Sequence, residues 1–201
     1  MVPRMTDHEQ WARRLEATGA IQRGHFLLSS GLHSPQYVQC ARALENPRDA
    51  VTLGEELVRR LESAKIDRVV SPPLGALLIG FEVARQLECP FIFPERTDDG
   101  SLRLRRGFSV RVGERVAVVE DVITTGRTTL EVVEMLRGLG ADVVVLAAIV
   151  NRSGSLEVDG LPIESILSLS IPTYERETCP LCRAGIPLVK PGSRKQSEAS
   201  T

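Results

Sequence analysis

The stretch that most constrains this chain is Arg115 to Thr129, RVAVVEDVITTGRTT. It reads as a buried strand, two acids, a loop of small residues and a helix. Val116, Ala117, Val118 and Val119 form an apolar, β-branched run suited to a central strand of a parallel sheet, covered on both faces. Glu120 and Asp121 then stand at its carboxyl end. In open α/β sheets ligands bind at that edge, because the turn after the strand aims the next helix's free N–H groups into the crevice. Thr124, Thr125, Gly126, Thr128 and Thr129 supply small side chains, hydroxyls and open backbone amides, a cradle suited to a phosphate. Leu130, Val133, Leu136 and Leu139 mark a helix that stops at Gly140, so its positive N-terminal end points at the threonine loop.

Charge-assisted hydrogen bonds to an anion in such a cradle are worth about 1.5–3 kcal/mol each. The loop is not a Walker A sequence, since no Gly-Lys-Ser/Thr follows, and it lacks the GxGxxG spacing of a dinucleotide fold. An ordinary strand–turn–helix with capping acids is the plain alternative, but a cap needs one acid or hydroxyl and this segment has two acids and four threonines. Carboxylates only accept hydrogen bonds, and hydroxyls are suitable donors to them. The combination predicts a phosphate site with a hydroxyl-binding acid pair.

The remaining sequence is consistent with one enzyme domain. Its 201 residues, 42% hydrophobic, suffice for one well-buried core and are short for two. A net charge of −1 argues against a nucleic-acid partner, whose footprint should be basic. No apolar run reaches membrane-spanning length and no signal-peptide pattern opens the chain, so a soluble cytoplasmic enzyme is expected. Thr6 and Glu9 form a capping box opening a helix with Trp11 and Leu15 on one face, ending at Gly19. In Gly24 to Cys40, two strand-like runs flank a turn built from Ser29, Ser30, Gly31, Ser34 and Pro35, a small cover. Leu53, Leu57, Val58 and Leu61 mark a second helix. Val69 and Val70 lead into the turn Ser71 to Ala76, a helix continues over Gly80 to Leu87, and Phe91 to Phe93 and Val143 to Val150 read as strands. This alternation predicts a parallel α/β sheet.

Two segments are ambiguous. Glu95 to Gly113 is polar and carries Arg96, Arg103, Arg105 and Arg106; taken alone it reads as a solvated hairpin, although a mobile arginine loop could also neutralise a leaving group. Cys179-Pro180-Leu181-Cys182 is the only close cysteine pair. With no second CxxC or HxxxH in the sequence to complete a zinc site, and His25 and His33 far away, the pair is expected to close a turn of the C-terminal segment, with redox activity the lesser alternative. No protein metal site is expected.

The segment Glu120 to Thr128 resembles the phosphoribosyl-pyrophosphate signature of type I phosphoribosyltransferases, and its form EDVITTG is most similar to the orotate branch. The resemblance extends from Gly19 to about Arg194. It implies a central, mostly parallel sheet flanked by helices, with a small hood from about 19–40 plus the C-terminal segment, in one domain spanning 1–194; a polar tail at 195–201 is expected to be disordered. By this resemblance Glu120 and Asp121 hold the ribose hydroxyls, and Val122, Ile123, Thr124, Thr125, Gly126, Arg127 and Thr128 cradle the 5′-phosphate. Leu74 and Gly75, in Ser71-Pro-Pro-Leu-Gly-Ala76, belong to the pyrophosphate loop. Thr124, Arg152, Tyr37 and Val38 would meet orotate, Arg152 pairing with its carboxylate.

The implied reaction transfers phosphoribosyl from phosphoribosyl pyrophosphate to orotate, forming orotidine 5′-monophosphate for pyrimidine synthesis. Asp121, Glu120 and Arg96 are its expected catalytic residues. Magnesium is implied as a cofactor, bound mainly through the donor's diphosphate. Arg96, Arg103, Arg105 and Arg106 would lie on a flexible loop that closes over the neighbouring subunit of a homodimer. Many relatives carry lysines where this chain has Ser29 and Gly75, and a lysine-rich, histidine-containing loop where it has arginines. Two other readings remain: a phosphoribosyltransferase for another base, and a non-catalytic nucleotide-binding regulator on the same fold.

Overall fold

Alternating apolar strands and amphipathic helices build most of the molecule, described over residues 5–191 in a computed structural model. The expected tail at 195–201 lies outside the described residues. In chain order the elements are α1 (Asp7–Ala17), β1 (Ile21–Leu27), β2 (His33–Val38), α2 (Ala41–Leu44), α3 (Pro47–Arg60), β3 (Arg68–Val70), α4 (Leu77–Gln86) and β4 (Phe91–Ile92). There follow β5 (Pro94–Arg96), β6 (Leu102–Leu104), β7 (Arg115–Ile123), α5 (Arg127–Gly138), β8 (Asp142–Asn151), β9 (Glu157–Val158), β10 (Leu161–Ser168) and α6 (Pro180–Arg183). The chain divides into two units, one holding 39–170 with the N-terminal helix, the other 21–38 with the segment from Ile171 onward.

The first unit is a six-stranded sheet in the order β4-β3-β7-β8-β10-β9. All neighbours pair parallel except β9, which runs antiparallel at the edge. Val116 and Val118 face a core formed with Val132, Val133 and Leu136 of α5. Ala117 and Val119 alternate with them and are equally buried, as period-two side-chain geometry requires. From β3 the chain turns outward to β4, whereas β7 lies on the other side of β3. That reversal opens a crevice at the carboxyl ends of β3 and β7.

Several boundaries differ from the sequence expectation. The strand expected to end at Val119 continues to Ile123, because Glu120, Val122 and Ile123 still pair with β8. Leu139, expected on the buried face of α5, is 48% exposed, since the helix ends one residue before it. The capping box is present: Thr6 Oγ1 accepts from the Glu9 amide and Glu9 accepts from the Thr6 amide. Among the described residues no helix is long and apolar enough to cross a membrane.

The second unit is built on the antiparallel β1–β2 hairpin. Leu28 donates to the Leu32 carbonyl across a tight turn, so Ser34 and Pro35, expected in the turn, instead lie within β2. The pairing steps from Arg23↔Gln36 to Phe26↔Ser34, so Gly24 and His25 together face Pro35 alone. This β-bulge bends the strand opposite Pro35, and His25 and Phe26 are both buried. The C-terminal segment joins the hairpin through bridges from Phe26 to Val189 and from His33 to Tyr174. These connections correct the expected isolation of the CxxC pair: His25, His33, Cys179 and Cys182 lie side by side, with one ligand atom from each within 4.8 Å of the others.

Candidate active site

The acids of β7 sit where the sheet begins to open. Glu120 is buried and Asp121 half-buried. The Asp121 amide donates to Glu120 Oε1 at 3.1 Å, and the Val122 amide donates to Asp121 Oδ1 at 2.8 Å. Burial, reinforced by the neighbouring Asp121 charge, raises the Glu120 carboxyl from 4.5 to about 8. At neutral pH the pair therefore retains a proton, and full ionisation requires compensating hydroxyl donors or positive charge. Cys40 lies against them, its thiol donating to the Asp121 carbonyl at 3.6 Å. Burial and the two acids push that thiol well above its ordinary range, which keeps it protonated and leaves it a packing role.

The turn after β3 meets the same acids. It contains a cis peptide between Pro73 and Leu74, and Leu74 is exposed. A Cβ built on Gly75 would stand 2.7 Å from Asp121 Oδ2, so a side chain at this position would displace the carboxylate. Ser71 to Ala76 and the end of β7 thus share the crevice created by the strand reversal.

Beyond β7, Thr124 and Thr125 are exposed and Thr128 is half-buried. Gly126 holds a left-handed φ of 73° at the N-cap of α5, where it makes no side-chain cap bond. This conformation suits glycine and turns the chain sharply into a helix whose positive end faces the threonine loop. On the adjacent strand, the Arg152 amide donates to the Ile123 carbonyl at 2.7 Å. Asn151 fixes the following bend: its Oδ1 accepts from the Ser153 amide and hydroxyl, and its Nδ2 donates to the Ser155 carbonyl. Arg152 is consequently mounted beside the end of β7.

A model of the phosphoribosyl transferase domain matches residues 44–167. Orotate phosphoribosyltransferase of Thermotoga maritima is 50% identical over 180 residues, covering 90% of this chain and 96% of that protein. The enzyme of the same name from Caldicellulosiruptor bescii is 47% identical over 188 residues, covering 94% and 98%. This chain belongs to the orotate phosphoribosyltransferase family. Among solved structures, Aeropyrum pernix orotate phosphoribosyltransferase superposes with a TM-score of 0.70 at 29% identity, covering 79% of this chain and 93% of that one.

Within this family member the arginine segment forms the β5–β6 hairpin. Arg96 donates to Glu131 of α5 at 2.6 Å, and Arg127 donates to the other oxygen of Glu131 at 3.3 Å. Arg106 pairs with Glu95 at 2.6 Å and Arg103 with Asp99 at 3.9 Å, while Arg105 is exposed. Sequence reasoning missed Glu131. Its spacing of four from Arg127 was visible, but its contact with Arg96 depends on the hairpin's return to α5. Tyr37 and Val38 end β2 in the second unit, Tyr37 half-buried with its ring 5.8 Å from that of Phe26.

Magnesium takes hard oxygen ligands. Glu120 and Asp121 offer hard oxygen ligands, yet the only group of three or more metal-binding side chains among the described residues is the Cys/His cluster elsewhere.

Proposed function

We propose that the protein transfers the phosphoribosyl group of phosphoribosyl pyrophosphate to N1 of orotate, releasing pyrophosphate and forming orotidine 5′-monophosphate for pyrimidine synthesis. The observation that carries this reading is the single ladder bond from Arg152 to Ile123, which joins a candidate carboxylate receptor to a sugar-phosphate cradle. Identity of 50% with a named orotate enzyme supports the same substrate pair.

In this mechanism Glu120 and Asp121 accept from the ribose hydroxyls, and the amides from Val122 to Thr128, with the threonine hydroxyls, hold the 5′-phosphate. Leu74 and Gly75 present the pyrophosphate loop. Positive character develops at the anomeric carbon as the bond to pyrophosphate lengthens, and the adjacent acid pair stabilises it electrostatically. Magnesium, when bound with the donor, neutralises diphosphate charge. Arg152 orients the base through two parallel bonds to its carboxylate, with Thr124 as a further contact. Catalysis then consists mainly of positioning and charge stabilisation.

Arg96, with Arg103, Arg105 and Arg106, neutralises the departing pyrophosphate when Glu131 releases it, and acts across a homodimer. Mixed dimers of inactive Asp121→Asn and Arg96→Ala chains should regain activity through one intact composite site. No recovery despite demonstrated subunit exchange would assign the hairpin to its own subunit.

Steady-state kinetics with a panel of bases tests the main proposal. Orotate alone should be consumed rapidly, and Arg152→Ala should raise its KM about thirtyfold or more, the equivalent of about 2–5 kcal/mol, with little change in the KM for phosphoribosyl pyrophosphate. Arg152→Lys should recover part of the loss. Unchanged orotate kinetics in Arg152→Ala would sink the assignment.

A further inference from the structure

We infer that the second unit is a structural zinc module in which His25 Nε2, His33 Nδ1, Cys179 Sγ and Cys182 Sγ bind one ion. His25 Nε2 lies 2.8 Å from His33 Nδ1, 3.5 Å from Cys179 Sγ and 3.7 Å from Cys182 Sγ; the Cys182 sulfur is 3.3 Å from His33 Nδ1. Zinc bonds of about 2.0–2.1 Å to nitrogen and about 2.3 Å to sulfur place tetrahedral ligands about 3.4 Å apart for two nitrogens and about 3.6 Å for nitrogen and sulfur. Three of the four nitrogen–sulfur separations already fall near that tetrahedral edge. The two nitrogens need to part, exchanging their mutual hydrogen bond for bonds to the ion, and all four ligand atoms already lie within 4.8 Å of one another.

The proton positions favour the same assignment. His25 Nδ1 lies 2.8 Å from the Ile186 carbonyl, which can only accept, so Nδ1 carries the proton and Nε2 presents a lone pair. This backbone contact orients the ring as an outer-shell partner does in metal centres. His33 becomes a ligand by moving its proton from Nδ1 to Nε2 without losing it. The thiols release two protons, and two thiolates with Zn2+ and two neutral imidazoles make a neutral centre. His25 and His33 are 2% exposed and Cys179 is fully buried, so charge neutrality matters. Both cysteines are free thiols, and two nitrogens with two sulfurs in a tetrahedron suit zinc above harder cations.

The unit also needs a cross-link. Its described part, 21–38 and 171–191, is two chain segments distant in sequence, and folded units below about 40 residues usually need a metal, disulfides or association. His25 and His33 come from the hairpin, whereas Cys179 and Cys182 come from the C-terminal segment. One ion fastens the two.

Full-length protein expressed with zinc and purified under reducing conditions should contain one zinc per chain by mass spectrometry. Cobalt exchanged into it should give the visible bands of a tetrahedral site with thiolate ligands. Cys182→Ser removes an exposed ligand with little cost to packing. Loss of a mere outer-shell partner weakens metal binding about 10–100-fold, so this variant should lose at least that much affinity. A strong chelator should lower the melting temperature of the wild type, zinc should restore it, and the variant should respond to neither. Absence of metal and of a cobalt spectrum would overturn the assignment, as would zinc retained in full by Cys182→Ser. A Cys179–Cys182 disulfide in metal-free protein would give the pair a redox role instead. Metal content is independent of the base consumed, so it separates this inference from the proposed reaction.

Discussion

The sheet unit and the hairpin unit are each stabilised internally, and by different means. In the first, Val69, Val70, Val116 to Val119 and Leu146 to Val150 are all fully buried, with α4 packed on β3 and β7, α5 on β7 and β8, and α3 on β8. In the second, the described buried apolar residues are Ile21, Phe26, Val38 and Cys179, accompanied by buried His25, His33 and Ser34. Apolar area stabilises the sheet without requiring particular partners. The hairpin unit instead relies on specific bonds between remote segments, such as those joining Leu27 to Val189 and His33 to Tyr174. A catalytic sheet can thus tolerate gradual change in its interior, whereas the smaller unit depends on a few irreplaceable contacts.

The sharpest way to break this contrast is to cut the sheet core. Leu146→Ala, at a fully buried site, should cost about 2–5 kcal/mol in denaturant unfolding, equally with and without a chelator. A chelator-dependent loss would mean that the two units share one source of stability.

Next comes the polar exception within the sheet. Because burial raises Glu120 to about 8 from 4.5, the folded state holds a proton that the unfolded chain releases between those values. Glu120 therefore favours folding fully below about pH 4.5, and that contribution is lost as pH rises through about 8. Glu120→Gln should match the wild type near pH 5 and exceed it by roughly 2–4 kcal/mol at pH 9. Parallel stability profiles for the two proteins would show that the acid pair is solvated. The same substitution should reduce turnover, since an amide supplies no negative charge to the ribose site.

Smaller effects test the periphery. Thr6→Ala removes the side-chain cap of α1 and should cost about 1 kcal/mol by thermal unfolding. Arg96→Ala breaks an exposed ion pair with Glu131 and should change stability by about 1 kcal/mol or less while lowering turnover. An Arg96→Ala protein that is markedly less stable would make the hairpin a structural strut.

Legibility in the sequence follows the same division. The acid pair, threonine loop and α5 are contiguous, so local pattern was enough to place Glu120 to Thr128 at a sheet edge. The strand's continuation to Ile123 was less visible because its acids look like a terminus; pairing with β8 overrides that preference. Contacts made by returning segments left no local trace. Neither the 2.7 Å approach of a Gly75 Cβ to Asp121 nor the Arg96–Glu131 pair can be read from spacing. The histidines were hidden for a further reason: their partners Cys179 and Cys182 arrive from the far end of the chain.

That bulge makes the hairpin sensitive to chain length in a way that no substitution table records. Loss of one codon at Gly24 or His25 would leave one residue opposite Pro35 and restore uniform alternation. Deleting Gly24 would leave His25 opposite Pro35, directly after Arg23, and so change the bend and twist of the strand that carries a ligand. A single in-frame insertion or deletion could thus re-aim one corner of the four-ligand cluster, with both cysteines and the entire catalytic sheet inherited unchanged.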